Sequence, residues 1–199
     1  MLKPTSSTPL FRPRAATAPA AAATAAVTAA LLAALALSGC DRAPSSKPPV
    51  APEVATAAEA ALDALAAACA RAVEARQPTV QPTGDGRWTV HGYSAALVQR
   101  DVTATESPVT PLVGKIVVKD NEAQATAPTE ADARAIILAP AHLVANRTHT
   151  FIYRFDGQRW QWANGSRTTK APTQSDTTVP LERAELAAPG SDFAACLPQ

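Results

Sequence analysis

The chain has no run of basic residues, only three histidines and only three cysteines in 199 residues. Each scarcity excludes something. Nucleic-acid binding rests mainly on neutralising phosphates, so a chain without a basic stripe is a poor candidate for it. His91, His142 and His149 stand at no metal-ligand spacing from a cysteine, which removes the common zinc pairs. No Gly-x-Ser-x-Gly elbow and no phosphate loop occurs. No metal and no cofactor is expected. Acid is missing altogether from the first forty residues, which hold three cations, Lys3, Arg12 and Arg14.

That acid-free segment continues into a run from Ala15 to Ala36, mostly alanine, with Val27, Leu31, Leu32 and Leu35 crowded towards its end. A cationic start, an apolar middle and a small-residue exit describe an export signal. The run is long enough to approach a bilayer span, so a retained anchor and a plain cleaved signal stay open as alternatives. Leu37-Ser38-Gly39-Cys40 resembles the lipobox of bacterial lipoprotein precursors and matches it at all four positions. The resemblance implies cleavage before Cys40, a diacylglyceryl group on its sulfur and an acylated new amino terminus. Two acyl signals suffice for stable anchoring, each buried methylene contributing about 0.8 kcal/mol. The implied location is the cell membrane, with the domain in the periplasm. Asp41 resembles the inner-membrane retention signal of enterobacterial lipoproteins; the outer membrane is the alternative.

On this reading residues 1–39 are the signal and 40–52 are a lipidated cysteine and a linker containing Pro44, Pro48, Pro49 and Pro52. Extended proline-rich chain spans about 3.1 Å per residue, so the linker reaches roughly 30–40 Å. Residues 53–199 form a single domain of a size that supports one core. Without the signal, fifteen cations face seventeen acids, and the slight positive charge of the whole chain reverses. Lipidation of Cys40 would leave two cysteines, Cys69 and Cys196, an even number in an oxidising compartment. They are expected to pair, closing a loop of more than a hundred residues; two buried free thiols are the alternative.

Glu53 to Arg76 predicts a helix. Val54, Ala58, Ala61, Leu62, Leu65, Cys69, Ala72 and Val73 follow steps of three and four, a continuous apolar stripe. Pro52 precedes the run and Pro78 ends it. After Pro78 the period becomes two. Strands are expected at Arg87–His91, at Tyr93–Ala104 and at Leu112–Lys119, where Leu112, Gly114, Ile116 and Val118 stay in phase. Gly114 marks a bulge or a close approach by a neighbour. In FIYRFDGQRWQW, residues 151–162, Asp156-Gly157 suggests a two-residue turn. Such a turn would set Tyr153 opposite Trp160 and Phe151 opposite Trp162, with Arg154 opposite Arg159. Residues 121–147 are expected as an insertion containing a short helix that starts at Thr129, and residues 168–199 as an irregular tail.

The order predicts an α+β fold: one long helix packed on an antiparallel sheet of four to five strands within 87–163. This order loosely resembles cystatin-like and NTF2-like domains, which implies a fold and no functional residue. Tyr153, Trp160 and Trp162 could line a binding surface, although packing under an alanine-rich helix accounts for the aromatic face more simply. Tyr93, with Asp101, Glu106, Asp120 and Glu122, is the set an NTF2-like pocket would draw on for proton transfer. No residue is singled out as catalytic. The expected function is a lipid-anchored, non-enzymatic binding or structural module with an envelope protein as partner. The alternatives are an NTF2-like small-molecule enzyme and an inhibitor of a periplasmic hydrolase, the latter signalled by a protruding apolar loop near Pro108–Leu112.

Overall fold

A computed structural model describes residues 50–199. The signal, the Cys40 and Asp41 positions and most of the proline-rich linker lie outside the described residues. Helix α1 spans Pro52–Glu74. It starts where proline supplies a compatible φ at the first turn, and Glu53 sits at the positive end of the dipole. Its buried residues are Ala58, Leu62, Cys69 and Val73, members of the apolar stripe.

Seven strands follow: β1 Thr79–Pro82, β2 Trp88–Tyr93, β3 Leu97–Ala104, β4 Leu112–Ala127, β5 Leu143–Phe155, β6 Trp160–Lys170 and β7 Thr177–Pro180. All pairs are antiparallel, in the order β1-β2-β4-β5-β6-β7, with β3 also on β4. The fold is α+β, with more strands than expected. The extra two, β1 and β7, are short edges in segments whose proline and threonine content reads as turn. Strand β4 is long enough to be shared: its first half pairs β3 and its second half pairs β2, both on one side, while β5 runs along the other. A break at Ser94–Ala96 separates β2 from β3.

The expected insertion at 121–147 shrinks accordingly. Residues 121–127 continue β4 and 143–147 begin β5, leaving only 128–142 outside the sheet. Within that stretch α2 spans Glu130–Ala135. Its cap is the expected Thr129, whose hydroxyl accepts from the Asp132 backbone N–H at 3.1 Å. The tail is not irregular: β6 extends to Lys170, β7 follows, and α3 covers Arg183–Leu186.

Register also departs from expectation at the aromatic hairpin. Asp156 N–H donates to the Arg159 carbonyl at 3.2 Å, which centres the turn on Gly157-Gln158, one residue later than expected. Gly157 takes the positive φ that this position demands, 100°. Tyr153 therefore faces Trp162, Phe155 faces Trp160, and Arg154 faces Gln161 rather than Arg159. A bulge then places Phe151 opposite Gly165. The like-charge arginine pair never forms.

The core lies between α1 and the inner face of the sheet. Leu112, Ile116, Val118, Phe151, Tyr153 and Phe155 meet the helix stripe there. Gly114 is the point of close approach: a Cβ at that position would lie 2.9 Å from a Leu62 methyl and 3.0 Å from the Trp160 ring. Cys69 and Cys196 are joined by a buried disulfide, which ties the C-terminal segment to the last third of α1.

Candidate functional site: the charged end of the inner face

Along β4 the inward positions read Leu112, Gly114, Ile116, Val118, Asp120, Glu122; along β5, opposite them, Phe155, Tyr153, Phe151, His149, Arg147, Ala145. The face is apolar under most of α1 and becomes charged where the helix ends. Arg76, three residues past Val73, continues the helix stripe over this charged end. Asp120 is the centre. Arg147 grips it with a two-pronged pair, Nε to Oδ1 at 3.0 Å and Nη2 to Oδ2 at 2.9 Å. Arg76 Nη2 lies 2.7 Å from the same Oδ2 but off a hydrogen-bond axis. The side chains are almost wholly buried, Asp120 at 0 % and Arg76 at 5 % exposure.

The network widens towards solvent. Arg147 Nη1 stands 3.5 Å from Glu122 Oε2. Glu122 Oε1 meets His91 Nε2 at 2.6 Å. Tyr93 provides a platform: both guanidinium carbons sit over its ring, Arg76 at 4.3 Å and Arg147 at 4.1 Å from the centroid. Such contacts contribute more when desolvated, about 2 kcal/mol or more against about 0.5–1 kcal/mol in solvent. His91 packs edge-on against Tyr93 at 5.0 Å. Phe193, from the C-terminal segment, lies 4.4 Å from the His149 ring.

Electrostatics fix the protonation states. Burial alone would raise the Asp120 carboxyl, but the hydrogen bonds and charge of Arg147, and then the adjacent charge of Arg76, outweigh it and hold the group below its ordinary value. Asp120 is thus an ionised structural partner, not a carboxyl held protonated for acid catalysis. His149 is pushed down to about 4, first by burial and then by the charge of Arg147, so it is neutral near pH 7. Burial pushes the Tyr153 hydroxyl up, and that hydroxyl donates to the Cys196 carbonyl at 2.7 Å.

Beside His91 the inner face opens into a cleft of about 370 Å³ lined by Thr79, Gln81, Thr89, His91 and Gln124. The Thr89 hydroxyl is buried there without a hydrogen-bond partner. No group of three or more metal-ligating side chains is arranged to hold a metal among the described residues.

The sequence-predicted residues divide. Tyr93, Asp120 and Glu122 come together. Asp101 points to the opposite face, where Lys115 Nζ stands at 3.7 Å, and Glu106 lies in the β3–β4 loop. Tyr153 and Trp160 are core residues, and Trp160 Nε1–H donates to the Ala58 carbonyl at 2.7 Å. Only an edge of Trp160 reaches a groove of about 460 Å³ with Leu65 and Leu197. Trp162 is half-buried against Tyr153. Sequence reasoning missed Arg76, Arg147 and His149. Their signal was the phase of the helix stripe and of β5, both of which carry on past the apolar positions into charge. No protein-family model, curated protein or solved structure matches the chain.

Proposed function

We propose that the chain is an exported lipoprotein, attached to the membrane through acylated Cys40, whose domain is a non-enzymatic binding module of the cell envelope. The observation that carries this reading is the buried Cys69–Cys196 bond. Structural disulfides persist in oxidising compartments and are rare in the cytosol. Together with the lipobox Leu37-Ser38-Gly39-Cys40, that bond gives each of the three cysteines a separate role. Asp41 favours retention in the inner membrane. No helix among the described residues is long and apolar enough to cross a membrane.

The charged end of the inner face weighs against the enzyme reading. The carboxylate beside Tyr93 is bound by two arginines and held ionised, whereas acid–base work on a carboxyl calls for a raised pKa. One observation favours the inhibitor reading. The loop between β3 and β4 presents Val109 at 75 % exposure. The loop is pinned from within by the Thr105 hydroxyl donating to the Thr110 carbonyl and by the Thr110 N–H donating to Ser107 Oγ at 3.2 Å. A rigid loop with an apolar tip is suited to insertion into a partner's cleft.

Metabolic labelling with palmitate tests the anchor. Label should enter the wild-type chain and not Cys40→Ala, and the mature protein should begin at Cys40 with acyl mass attached. A mature chain that starts elsewhere or carries no acyl mass ends the lipoprotein reading. Crosslinked recovery of one stoichiometric partner from envelope fractions, lost on Val109→Ser, would favour the loop as the contact.

A further inference from the structure

We propose that the two adjoining clefts at Trp160 form one binding site for a single-chain lipid with a phosphate head, the acyl chain lying against α1 and the phosphate against Arg159 and Arg183. This assignment rests on the reading of the domain as a membrane-tethered binding module and names the chemistry of its ligand.

The clefts share Arg159, Trp160, Pro198 and Gln199 but differ in their remaining walls. One, of about 460 Å³, is bounded by α1 and the C-terminal segment, with Leu65, Ala68 and Leu197 among its residues. That volume lies within the usual range of small-ligand sites, about 300–1,000 Å³. The other, of about 270 Å³, adds Gln161, Trp162 and Arg183. An apolar wall thus leads into a cationic one across a single indole. Trp160 is buried and its Nε1–H is fixed on the Ala58 carbonyl, so the shared floor is ordered before a ligand arrives. Tryptophan suits such a boundary, apolar on one side and wet on the other.

Charge selects the head. No acidic side chain lines either cleft. Among the described residues, the arginines held in ion pairs are Arg76, Arg100, Arg134 and Arg147; Arg159 and Arg183 are in none, and neither guanidinium donates a hydrogen bond. Asp156 feels the charge of Arg159, but its oxygens accept from the N–H groups of Gln158 and Arg159 and from the Gln161 side chain. Glu182 and Glu185 neighbour Arg183 in the chain and stand outside the lining. Each arginine offers a planar fork matched to phosphate oxygens. Two open forks suit a phosphomonoester, which carries close to two negative charges near pH 7.

The apolar wall selects the tail. Leu65 and Ala68 are only half-buried on the exposed flank of α1, and covering such surface is favourable. From Pro52 to Leu65 the helix rises about 20 Å at 1.5 Å per residue, less than the roughly 30–40 Å spanned by the proline-rich linker. A domain held by that linker can therefore turn this flank to the bilayer that supplies the lipid.

Photocrosslinking tests the site. The full-length chain is mixed with phosphatidylcholine vesicles containing a trace of monoacyl glycerophosphate with a diazirine in its acyl chain, irradiated and mapped by mass spectrometry. Saturable label is expected at Leu65, Ala68 or Leu197. Unlabelled monoacyl glycerophosphate should compete, whereas monoacylglycerol, which lacks the phosphate, and glycerol phosphate, which lacks the chain, should not. Arg159→Gln with Arg183→Gln, both exposed positions, should cut the label about tenfold. Arg154→Gln, exposed on the other face of the sheet, should leave it unchanged. Label that does not saturate or avoids all three positions, equal competition by monoacylglycerol, or full label in the double variant overturns the proposal. Label that falls as the protein is concentrated into a dimer gives the groove to a second copy and overturns it too. Metabolic palmitate is read at Cys40 without irradiation, so failure here and failure of the anchor are distinguishable.

Discussion

Asp120 holds two arginines with a single carboxylate, and its removal would leave both charges buried. Breaking a buried ion pair from one side costs about 3–5 kcal/mol, because the surviving charge has neither partner nor water. Asp120→Asn should therefore lower stability by that order in a urea titration. Asp101→Asn, at an exposed pair with Lys115, should shift it by no more than about 0.5 kcal/mol. Equal effects would mean that the network is not the anchor of this end of the core. His149 makes a separate prediction. Its imidazole ordinarily titrates near 6.5 and in the fold near 4. Between those values the unfolded chain binds more protons than the folded one. The stabilisation from keeping His149 neutral is thus complete above about pH 6.5 and is lost as pH falls towards 4, by roughly 3 kcal/mol at most. Denaturant midpoints measured from pH 7 to pH 4 should trace this slope, and His149→Leu should flatten it. An unaltered slope in the variant would place the acid sensitivity elsewhere.

Helix α1 and strand β4 meet at Gly114, and their spacing depends on the missing side chain. Gly114→Ala would force a methyl against Leu62 and Trp160, both in the packed core. Overpacking of this kind typically costs about 1–3 kcal/mol, and a thermal melt should fall accordingly. An unchanged melt would show that the helix can lift off the sheet freely. The helix and this contact were legible in the sequence because the apolar stripe has an unbroken period and a glycine interrupts an in-phase strand. The short edges β1 and β7 were not, since β1 is four residues long and exposed but for Val80, β7 is four residues long and exposed throughout, and neither alternates. The turn register was missed by one residue because Asp156 closes the hairpin from outside its centre. Its carboxylate accepts the N–H groups of Gln158 and Arg159, each at 2.9 Å. The charged end of the site was half legible. Asp120 and Glu122 stay in the β4 phase, but only the fold shows that Arg76 and Arg147 converge on them.

Across the molecule, the disulfide joins residues separated by 127 positions. Closing so long a loop restricts the unfolded chain more than the folded one, by about 4–5 kcal/mol in the chain-entropy account. The double variant Cys69→Ser with Cys196→Ser should melt well below the wild-type chain, and Phe193, carried on the segment that Cys196 secures, should lose its order with it. A variant that melts with the wild type would show that Tyr153's bond to the Cys196 carbonyl and local packing already hold that segment.

Helix α1 runs 23 residues from Pro52 to Glu74, a rise of about 33 Å between them at 1.5 Å per residue. The chain leading in from its amino-terminal side joins at the foot of this rod, and the arginine-lined end stands at its tip. The apolar core and its charged end are therefore set apart along the axis of the helix, one beneath its body and the other past its last turn.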